Sequence, residues 1–162
     1  MYYRKMKSPI GELLLAGTEG FLEMVGFPEG KGVVQVEAGW ELDTSTFADA
    51  VQQLEEYFSG RRKDFDLKLK PSGTSFQLAV LEALINIPYG QTTSYQEIAK
   101  AVGRPRAVRA VGAANGRNPL PIVIPCHRVI GSDGSLTGFG GGLAAKQYLL
   151  TLEADDFQLS SG

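Results

Sequence analysis

The sequence predicts an α+β protein with two parts, a small domain of mixed α and β structure built on a sheet, followed by a mainly helical domain. Over residues 1–70, short apolar runs alternate with glycine turns, a pattern typical of β-strands. After residue 75, apolar residues recur at spacings of three and four, a pattern typical of helices. We therefore predict domains at 1–70 and 75–156, a turn-rich linker at 71–74 and a disordered tail at 157–162.

Strands are predicted at three places in the first domain. Apolar runs at 12–16 and 21–27 flank a segment that contains Gly17 and Gly20, as two strands joined by a turn would. Farther along, apolar and polar residues alternate from 64 to 70, which predicts a half-exposed strand.

One helix is predicted between these strands. Thr44-Ser45 offers an N-cap for it, and Gly60 ends it. Residues at helical spacing form one apolar stripe that would face a core. The stripe consists of Phe47, Val51, Leu54, Tyr57 and Phe58.

The second domain begins with a helix over 76–84 that stops near Pro88-Tyr89-Gly90. The capping-box sequence Ser94-Tyr95-Gln96-Glu97 opens a short helix that Gly103 would close. Pro105 can sit in the first turn of the next helix, which runs to Asn115-Gly116. Two short helices joined by a tight turn predict a helix-turn-helix, with Arg106 and Arg109 on its second helix, the recognition helix, although any two packed helices can give this pattern.

Charge is distributed unevenly along the chain. The net charge is -2, yet the segment 100–128 contains six basic residues and no acidic one. Such asymmetry fits a cationic face for phosphate contact, and a merely solvated basic helix is the alternative. The six residues are Lys100, Arg104, Arg106, Arg109, Arg117 and Arg128.

Prolines around 118–121 exclude a helix there, and an apolar, β-branched segment follows at 122–130. This segment contains the only cysteine, Cys126, and the only histidine, His127. A cysteine beside a histidine can be a nucleophile, and an inert core thiol is the competing interpretation. Neighbours on a strand point to opposite sides, so cooperation of the two needs an irregular backbone, which Pro125 makes plausible, or a bridging water. Six glycines follow in 131–142, and a last amphipathic helix is predicted over 143–153.

Cofactors, metals and membranes are not expected. One cysteine and one histidine cannot supply the four ligands of a structural zinc site. The N-terminus lacks the apolar stretch of a secretory signal, and no run approaches the length of a membrane span. We therefore expect a cytoplasmic protein with neither a metal nor another cofactor.

The segment Pro125-Cys126-His127-Arg128-Val129 resembles the active-site signature of the O6-alkylguanine-DNA alkyltransferases, also called methylated-DNA--protein-cysteine methyltransferases. The resemblance runs from about residue 75 to 153 and includes Pro88-Tyr89-Gly90, Arg109-Ala110-Val111-Gly112 and Gly141-Gly142-Leu143. It implies a ribonuclease H-like first domain and a winged-helix-like second domain. The implied activity is DNA repair by direct damage reversal, in which an alkyl group leaves O6 of guanine and stays on the protein.

The resemblance also implies roles for five residues of the reaction. Cys126 would be the nucleophile and the permanent acceptor, and His127 would relay the thiol proton through a water. Glu153 would orient His127, as the third member of a triad does. Tyr95 would donate to the leaving guanine, and Asn118 would brace the hinge before the active-site segment. Without the resemblance, His127 would be interpreted as a core histidine and Glu153 as a surface charge.

Further positions would contact double-stranded DNA carrying O6-alkylguanine, through the minor groove and as a monomer. Arg109 would occupy the space of the flipped nucleotide. Other DNA-contacting positions are Tyr95, Gln96, Arg104, Ala107, Ala110, Gly112 and Ser132. The substrate pocket would consist of Pro121, Val129, Thr137, Phe139 and Gly140.

Three alternatives remain open at this point. A lesion-binding protein without chemistry would recognise the alkylated base and leave it unchanged. A cysteine hydrolase would turn over repeatedly, and a helix-turn-helix transcription regulator would need a dimer to read a palindrome. Activity on O4-alkylthymine also stays open.

Overall fold

The computed structural model describes the backbone of residues 1–161 and the side chains of residues 1–154. The first domain contains four strands and one helix, in the order β1 (Tyr2–Met6), β2 (Leu13–Thr18), β3 (Phe21–Gly26), β4 (Glu41–Leu42) and α1 (Ala48–Phe58). The second contains α2 (Ser75–Ile85), β5 (Thr93–Ser94), α3 (Tyr95–Ala101), α4 (Val108–Gly116), a 3₁₀ turn (Cys126–Arg128), β6 (Val129–Ile130) and α5 (Leu143–Ser161). This is the α+β architecture that the sequence predicts.

The four strands of the first domain form one mixed sheet in the order β3-β2-β1-β4. β2 pairs antiparallel with β1 and β3, and the short β4 pairs parallel with β1. The register of β2 against β3 shifts between Ala16 and Gly17. A Cβ at Gly17 would lie 2.1 Å from the carbonyl oxygen of Phe21, so only glycine fits this irregularity.

The predicted cap of α1 is wrong. The helix begins at Ala48, and Phe47 precedes it in the left-handed region with a φ of 67° and no side-chain cap. Thr44-Ser45 belongs instead to a turn held by Asp43, whose Oδ1 accepts from the backbone N–H of Ser45 at 2.8 Å and of Thr46 at 3.2 Å. An aspartate that bonds the backbone two residues on competes with helix initiation there.

The segment 64–70 alternates in exposure as predicted, but it is not a regular strand. Leu22 forms an isolated bridge with Leu69, in which its N–H donates to the carbonyl of Lys68 at 2.9 Å and its carbonyl accepts from the N–H of Lys70 at 3.0 Å. Alternating burial requires only an extended backbone, whereas a ladder also requires a partner strand along its length.

The second domain contains the predicted helix-turn-helix. Thr74 and Gln77 form a complete capping box at the start of α2, and Ser94 caps α3 by accepting from the N–H of Glu97 at 3.2 Å. Gly103 turns the chain after α3 with a φ of 77°. α3 and α4 then pack on each other and on α2.

The predicted start of α4 is too early. Ala107 donates its N–H to the carbonyl of Arg104 at 2.9 Å, so residues 104–107 form a turn and the helix begins at Val108. Pro105 therefore occupies a turn position, for which its fixed φ is equally suited. Arg106 lies in the same turn and not on the recognition helix.

The last helix is longer than predicted, because α5 continues past Glu153 to Ser161. The tail predicted at 157–162 falls beyond the residues whose side chains are described, and it stays a prediction. Within the described part of the chain, no helix combines the length and the apolar character needed to cross a membrane.

The two domains share one hydrophobic core. The same cluster of buried residues contains Leu54 and Tyr57 of the first domain and Leu84, Val111 and Leu149 of the second. A break in the sequence pattern at 71–74 therefore separates two kinds of local structure without separating two cores.

Hydrogen bonds also join the domains on both sides of the segment that contains Cys126. The N–H of Val25 donates to the carbonyl of Pro119 at 2.9 Å, and the N–H of Gly32 donates to the carbonyl of Gly140 at 2.8 Å. The first domain thus packs directly against the parts of the chain that surround the cysteine.

Candidate active site at Cys126

The backbone at Cys126 is irregular, as the neighbouring prolines predict. Cys126–Arg128 is a single 3₁₀ turn, which Pro125 precedes with a ψ of 64°. Four residues earlier, Ile122 has a φ of 75°, an uncommon conformation for a β-branched side chain. The turn places Cys126 and His127 in one buried region instead of on opposite faces of a strand.

Asn118 supports this backbone from within the preceding loop. Its Nδ2 donates to the carbonyl of Ile124 at 2.8 Å, and its Oδ1 accepts from the N–H of Leu120 at 2.9 Å. Both ends of the amide are therefore bonded to the segment that leads to Cys126.

Cys126 is buried, with 4% of the residue exposed. Burial raises its pKa to about 11, although Asn118 and the cation of Lys146 act in the opposite direction. The resting group is consequently a protonated thiol, which is a poor nucleophile. Chemistry at this cysteine needs a base that removes the proton when a substrate is in place.

His127 is fully buried and lies next to Glu153. Its Nε2 and Glu153 Oε2 are 2.7 Å apart, while its Nδ1 has no hydrogen-bond partner among the described residues. Burial lowers the pKa of His127 despite the adjacent carboxylate, so the ring is neutral at rest. Because a carboxylate can only accept, Nε2 carries the proton and Nδ1 presents a free lone pair. The ring is therefore prepared to take up a proton at Nδ1.

Glu153 is 1% exposed and accepts hydrogen bonds from four residues. Besides His127, they are Tyr57, Arg128 and Gly90. Burial alone would raise the pKa of Glu153, but the hydrogen bonds and charges of His127 and Arg128 outweigh it and lower the pKa to about 2. The carboxylate is ionised at neutral pH.

Arg128 forms a buried ion pair with Glu153. Its Nε donates to Glu153 Oε1 at 2.8 Å, one terminal nitrogen donates to Oε2 at 3.1 Å, and the other donates to the carbonyl of Ile87 at 2.6 Å. With a residue exposure of 5%, Arg128 cannot belong to a surface cationic face. The other five basic residues of the segment 100–128 are all exposed.

Lys146 is a buried cation that the sequence analysis missed. Its Nζ donates to the carbonyl of Val129 at 2.7 Å and to the carbonyl of Thr137 at 3.0 Å. Burial lowers the pKa of Lys146, and the charge of a Cys126 thiolate raises it. A signal was available, because Lys146 lies three residues before Leu149 and seven before Glu153, on the buried face of α5.

Asn115 is a second residue that the sequence analysis missed. It is 4% exposed, and its Nδ2 lies 3.5 Å from the carbonyl oxygen of Cys126. Its Oδ1 has no hydrogen-bond partner among the described residues. Asn115 shares a helix face with Val111, so a polar residue on the apolar face of α4 was the available signal.

Cys126 lines a cavity of about 300 Å³ between the two domains. Its walls include Asn118, Pro121, Phe139 and Gly140 from the second domain, together with apolar side chains such as Met24 from the first. Besides Cys126 and Asn118, three residues predicted for the substrate pocket therefore line the same cavity. They are Pro121, Phe139 and Gly140.

A second cleft of about 610 Å³ lies on the other side of the glycine-rich loop. Tyr95, Gly112 and Thr137 line it, and Phe139 and Gly140 line both spaces. The hydroxyl groups of Tyr95 and Thr137 are 2.5 Å apart, so they are hydrogen-bonded to each other across this cleft. Tyr95 and Cys126 therefore line different cavities, which share Phe139 and Gly140 of the loop.

Val129, predicted for the substrate pocket, and Ser132, predicted to contact DNA, lie outside both spaces. Val129 is fully buried beneath them, and its carbonyl already accepts from Lys146. Ser132 is exposed on the loop that follows β6. Neither lies among the residues that line the two cavities.

The recognition helix presents small and basic residues to solvent. Arg109 and Ala110 are exposed, and Ala107 precedes the helix in a half-buried position. A Cβ at Gly112 would meet only Cδ1 of Tyr95, at 3.9 Å, so packing within the described chain does not require glycine there. Gln96 and Arg104 are also exposed, and the guanidinium of Arg104 lies 5.7 Å from the ring centre of Phe76.

The fold and the site together define a class of protein. It is a helix-turn-helix protein that contains a buried cysteine beside a His–Glu pair. Family models match both domains of the chain. Residues 1–71 match the 6-O-methylguanine DNA methyltransferase ribonuclease-like domain, and residues 75–155 match the DNA binding domain of the same family. The chain belongs to the 6-O-methylguanine DNA methyltransferase family.

Individual relatives agree over nearly the whole length. The methylated-DNA--protein-cysteine methyltransferase of Methanosarcina barkeri is 53% identical, with 98% of this chain and all of the relative covered. The Mycobacterium tuberculosis OGT, solved in complex with DNA, is 47% identical with a TM-score of 0.91, covering 96% of this chain and 94% of that one. An O6-methylguanine DNA methyltransferase from Methanococcus jannaschii is 26% identical with a TM-score of 0.66, covering 93% of each chain.

Proposed function

We propose that this protein repairs DNA by direct damage reversal, transferring the alkyl group of O6-alkylguanine irreversibly to its own Cys126. The observation that carries the proposal is that the chain contains a single cysteine, which is therefore the only candidate acceptor. Homologues of this family are named for transfer to a protein cysteine, and the chain has one cysteine, buried beside a His–Glu pair in the matched domain. A lesion-binding protein without chemistry would have no use for this arrangement.

The reaction begins with removal of the thiol proton. His127 accepts it at Nδ1 through a bridging water, while Glu153 holds the opposite side of the ring and stabilises the imidazolium that forms. The sulfur then attacks the alkyl carbon in line, a C–S bond forms, and the bond from carbon to guanine O6 breaks. The electron pair of that bond stays on the guanine, and a donor must meet the charge that develops there.

Tyr95 supplies this donor by hydrogen bonding to the guanine ring as the base departs. In the free protein its hydroxyl is bonded to Thr137, so an entering base must displace that contact. We propose that the glycine-rich loop, whose Phe139 and Gly140 line both cavities, shifts at the same time so that one base can reach both Tyr95 and Cys126. Its glycines permit close approach, and the backbone N–H of Gly140 is our proposed donor to guanine O6.

Lys146 and Asn118 hold the site in the geometry that the reaction needs. The charge of Lys146 favours the thiolate, and its hydrogen bonds join the carbonyls of Val129 and Thr137. We propose that the carbonyls of Cys126 and Val129 accept from the exocyclic amine of guanine, since each carbonyl oxygen has a second lone pair.

The target base must leave the duplex to reach a buried thiol. We propose that Arg109 occupies the vacated space, while Ala107, Ala110 and Gly112 let α4 lie close in the minor groove. Gln96, Arg104 and Ser132 would contact the flanking backbone. The protein would act as a monomer in the cytoplasm.

The product is a thioether on Cys126, a poor leaving group. No step in the proposed mechanism regenerates the thiol, so each molecule reacts once. The amount of protein, rather than its turnover, then limits repair.

The test is to mix the protein with a duplex that contains O6-methylguanine and to weigh the intact protein. Replacement of a thiol hydrogen by methyl should add about 14 Da once per molecule, and no more on longer incubation. Cys126→Ser should bind the same duplex and gain nothing. An unchanged mass of the unsubstituted protein would contradict the proposal, and repeated release of product would instead indicate a hydrolase.

A further inference from the structure

Tyr57 is a residue of the first domain that reaches the reaction machinery of the second. It lies on α1, is fully buried, and packs its ring against Phe58 and Phe65 with centroid distances of 5.4 and 5.5 Å. Its hydroxyl donates to Glu153 Oε2 at 2.6 Å. The bond joins positions 96 residues apart in sequence and crosses the domain boundary.

This hydroxyl shares its acceptor with the histidine. Glu153 Oε2 lies 2.6 Å from the hydroxyl oxygen of Tyr57 and 2.7 Å from Nε2 of His127. Burial raises the pKa of Tyr57 well above its ordinary value, and the charge of Glu153 adds to this, so the group remains a donor throughout the working pH range. A terminal nitrogen of Arg128 donates to the same oxygen at 3.1 Å, and each of the three donors withdraws part of its negative charge.

We propose that Tyr57 is a positioning residue of the alkyl-transfer site, by which the first domain orients Glu153 and limits how strongly that carboxylate holds the proton of His127. The role in transfer rests on the proposed function, whereas the effect on His127 does not. Without the hydroxyl, Oε2 would have fewer donors and would hold the imidazole proton more tightly. His127 would then be the stronger base but would be less firmly oriented.

Other charged and titratable groups also lie around His127 and Glu153 and influence the pKa of His127. Arg128 of the 3₁₀ turn and Lys146 of α5 are the cations that disfavour a charged His127. Tyr89 lies between α2 and β5, with its ring centre 6.2 Å from that of Tyr57 and 5.6 Å from the guanidinium carbon of Arg128. Tyr57→Phe leaves all of them in place and removes one oxygen atom.

The direct test uses the imidazole itself, because the chain contains a single histidine and its ¹⁵N NMR signals need no further assignment. In Tyr57→Phe, the Hε2 signal should move downfield as its bond to Glu153 strengthens, and the pKa of His127 should rise. The acid limb of the single-turnover transfer rate should move to higher pH in parallel. If the pKa of His127 rises by about one unit, its neutral fraction at the unsubstituted protein's midpoint falls from one half to about one eleventh, so the rate there should fall about fivefold.

Phe65→Leu is the matched control, since it disturbs the packing of the Tyr57 ring and keeps the hydroxyl. It should leave the Hε2 position and the acid limb unchanged, and circular dichroism should show that both variants are folded. The proposal is overturned if Tyr57→Phe leaves the His127 titration in place, or if Phe65→Leu moves it equally. If the unsubstituted protein gained no alkyl group, the proposed function would fail while the NMR comparison still decided the role of Tyr57.

Discussion

Cys126 is kept unreactive by its surroundings until a substrate arrives. Burial raises the pKa of the thiol to about 11, so little thiolate exists at neutral pH. A protein that can react only once gains from this state, because small electrophiles react with thiolates far faster than with thiols. The groups that oppose burial, Asn118 and Lys146, therefore determine how easily the thiolate forms.

Lys146→Met tests the contribution of the buried cation. The change removes the charge that favours the thiolate and both hydrogen bonds to the carbonyls of Val129 and Thr137. We expect the reaction of Cys126 with iodoacetamide at pH 9 to slow by about tenfold, which corresponds to a shift of roughly one pKa unit. Alkyl transfer from duplex DNA should slow by at least as much.

Lys100→Met provides the comparison for Lys146→Met. Lys100 is an exposed lysine that pairs only with the exposed Glu97, at 3.4 Å. Its removal should leave the iodoacetamide rate unchanged. Equal rates for Lys146→Met and the unsubstituted protein across the pH range would show that the cation does not act on the thiol.

The recognition helix is the element that we propose enters DNA, and its composition differs from that of an ordinary packed helix. Arg109 and Ala110 are exposed beside Gly112, where internal packing leaves room for a side chain. Small residues around one long cation are suited to close contact with a groove from which a base has been displaced.

Arg109→Ala should reduce transfer from O6-methylguanine in a duplex by tenfold or more, because flipping a base costs a few kcal/mol and the replacement side chain is lost. The loss should be much smaller with the free alkylated base, which needs no flipping. Single-turnover rates on both substrates make the comparison. Equal losses would show that Arg109 serves the chemistry and not the extrusion of the base.

Arg109→Ala also removes one positive charge, and Arg106→Ala is the control for that loss of charge. Arg106 is exposed on the same basic segment but lies in the turn before α4. Its removal should weaken duplex binding mainly at low salt, as the loss of one phosphate contact does. The rate of the bound complex should stay unchanged.

At the scale of the whole molecule, Glu153 connects the domains as well as the reacting groups. Tyr57 reaches it from the first domain, and His127 and Arg128 reach it from the 3₁₀ turn. The carboxylate is ionised in the folded protein down to a pKa of about 2, below its ordinary value of 4.5. A pKa that is lowered by folding contributes stability above the unfolded value, and this stability is lost as the pH falls through the folded one.

We therefore expect Glu153 to contribute roughly 3 kcal/mol to the free energy of unfolding near pH 7, and to lose this between about pH 4.5 and pH 2. Urea unfolding of the unsubstituted protein and of Glu153→Gln at several pH values isolates the effect. The difference in unfolding free energy should shrink as the pH falls through that window. A difference that stays constant with pH would contradict the assignment of the ionised carboxylate.

Local patterns were sufficient for most of the secondary structure. The capping sequence at Ser94 and the turn glycine Gly103 mark real helix ends, because each depends on neighbours within a few residues. The errors at Thr44-Ser45 and Pro105 have the same local character. In each case a turn used the residue that could also have begun a helix.

Irregular backbone around Cys126, and the hinge contacts of Asn118, were predictable for the same reason. Prolines and an asparagine act on the chain within a few residues of themselves. The family resemblance added the approach of His127 to Glu153, which the geometry reproduces at 2.7 Å. A local sequence pattern cannot predict this contact, because 26 residues separate His127 from Glu153.

The sequence by itself determined the α+β order of elements, the helix-turn-helix, the uniqueness of Cys126 and the family to which the chain belongs. Only the tertiary structure decided which groups share Glu153, that Lys146 is buried against two carbonyls, and that the two domains have one core. The physical reason is the range of the forces involved. Periodicity and caps act over a few residues, whereas burial and buried hydrogen bonds depend on segments that meet only when the chain is folded.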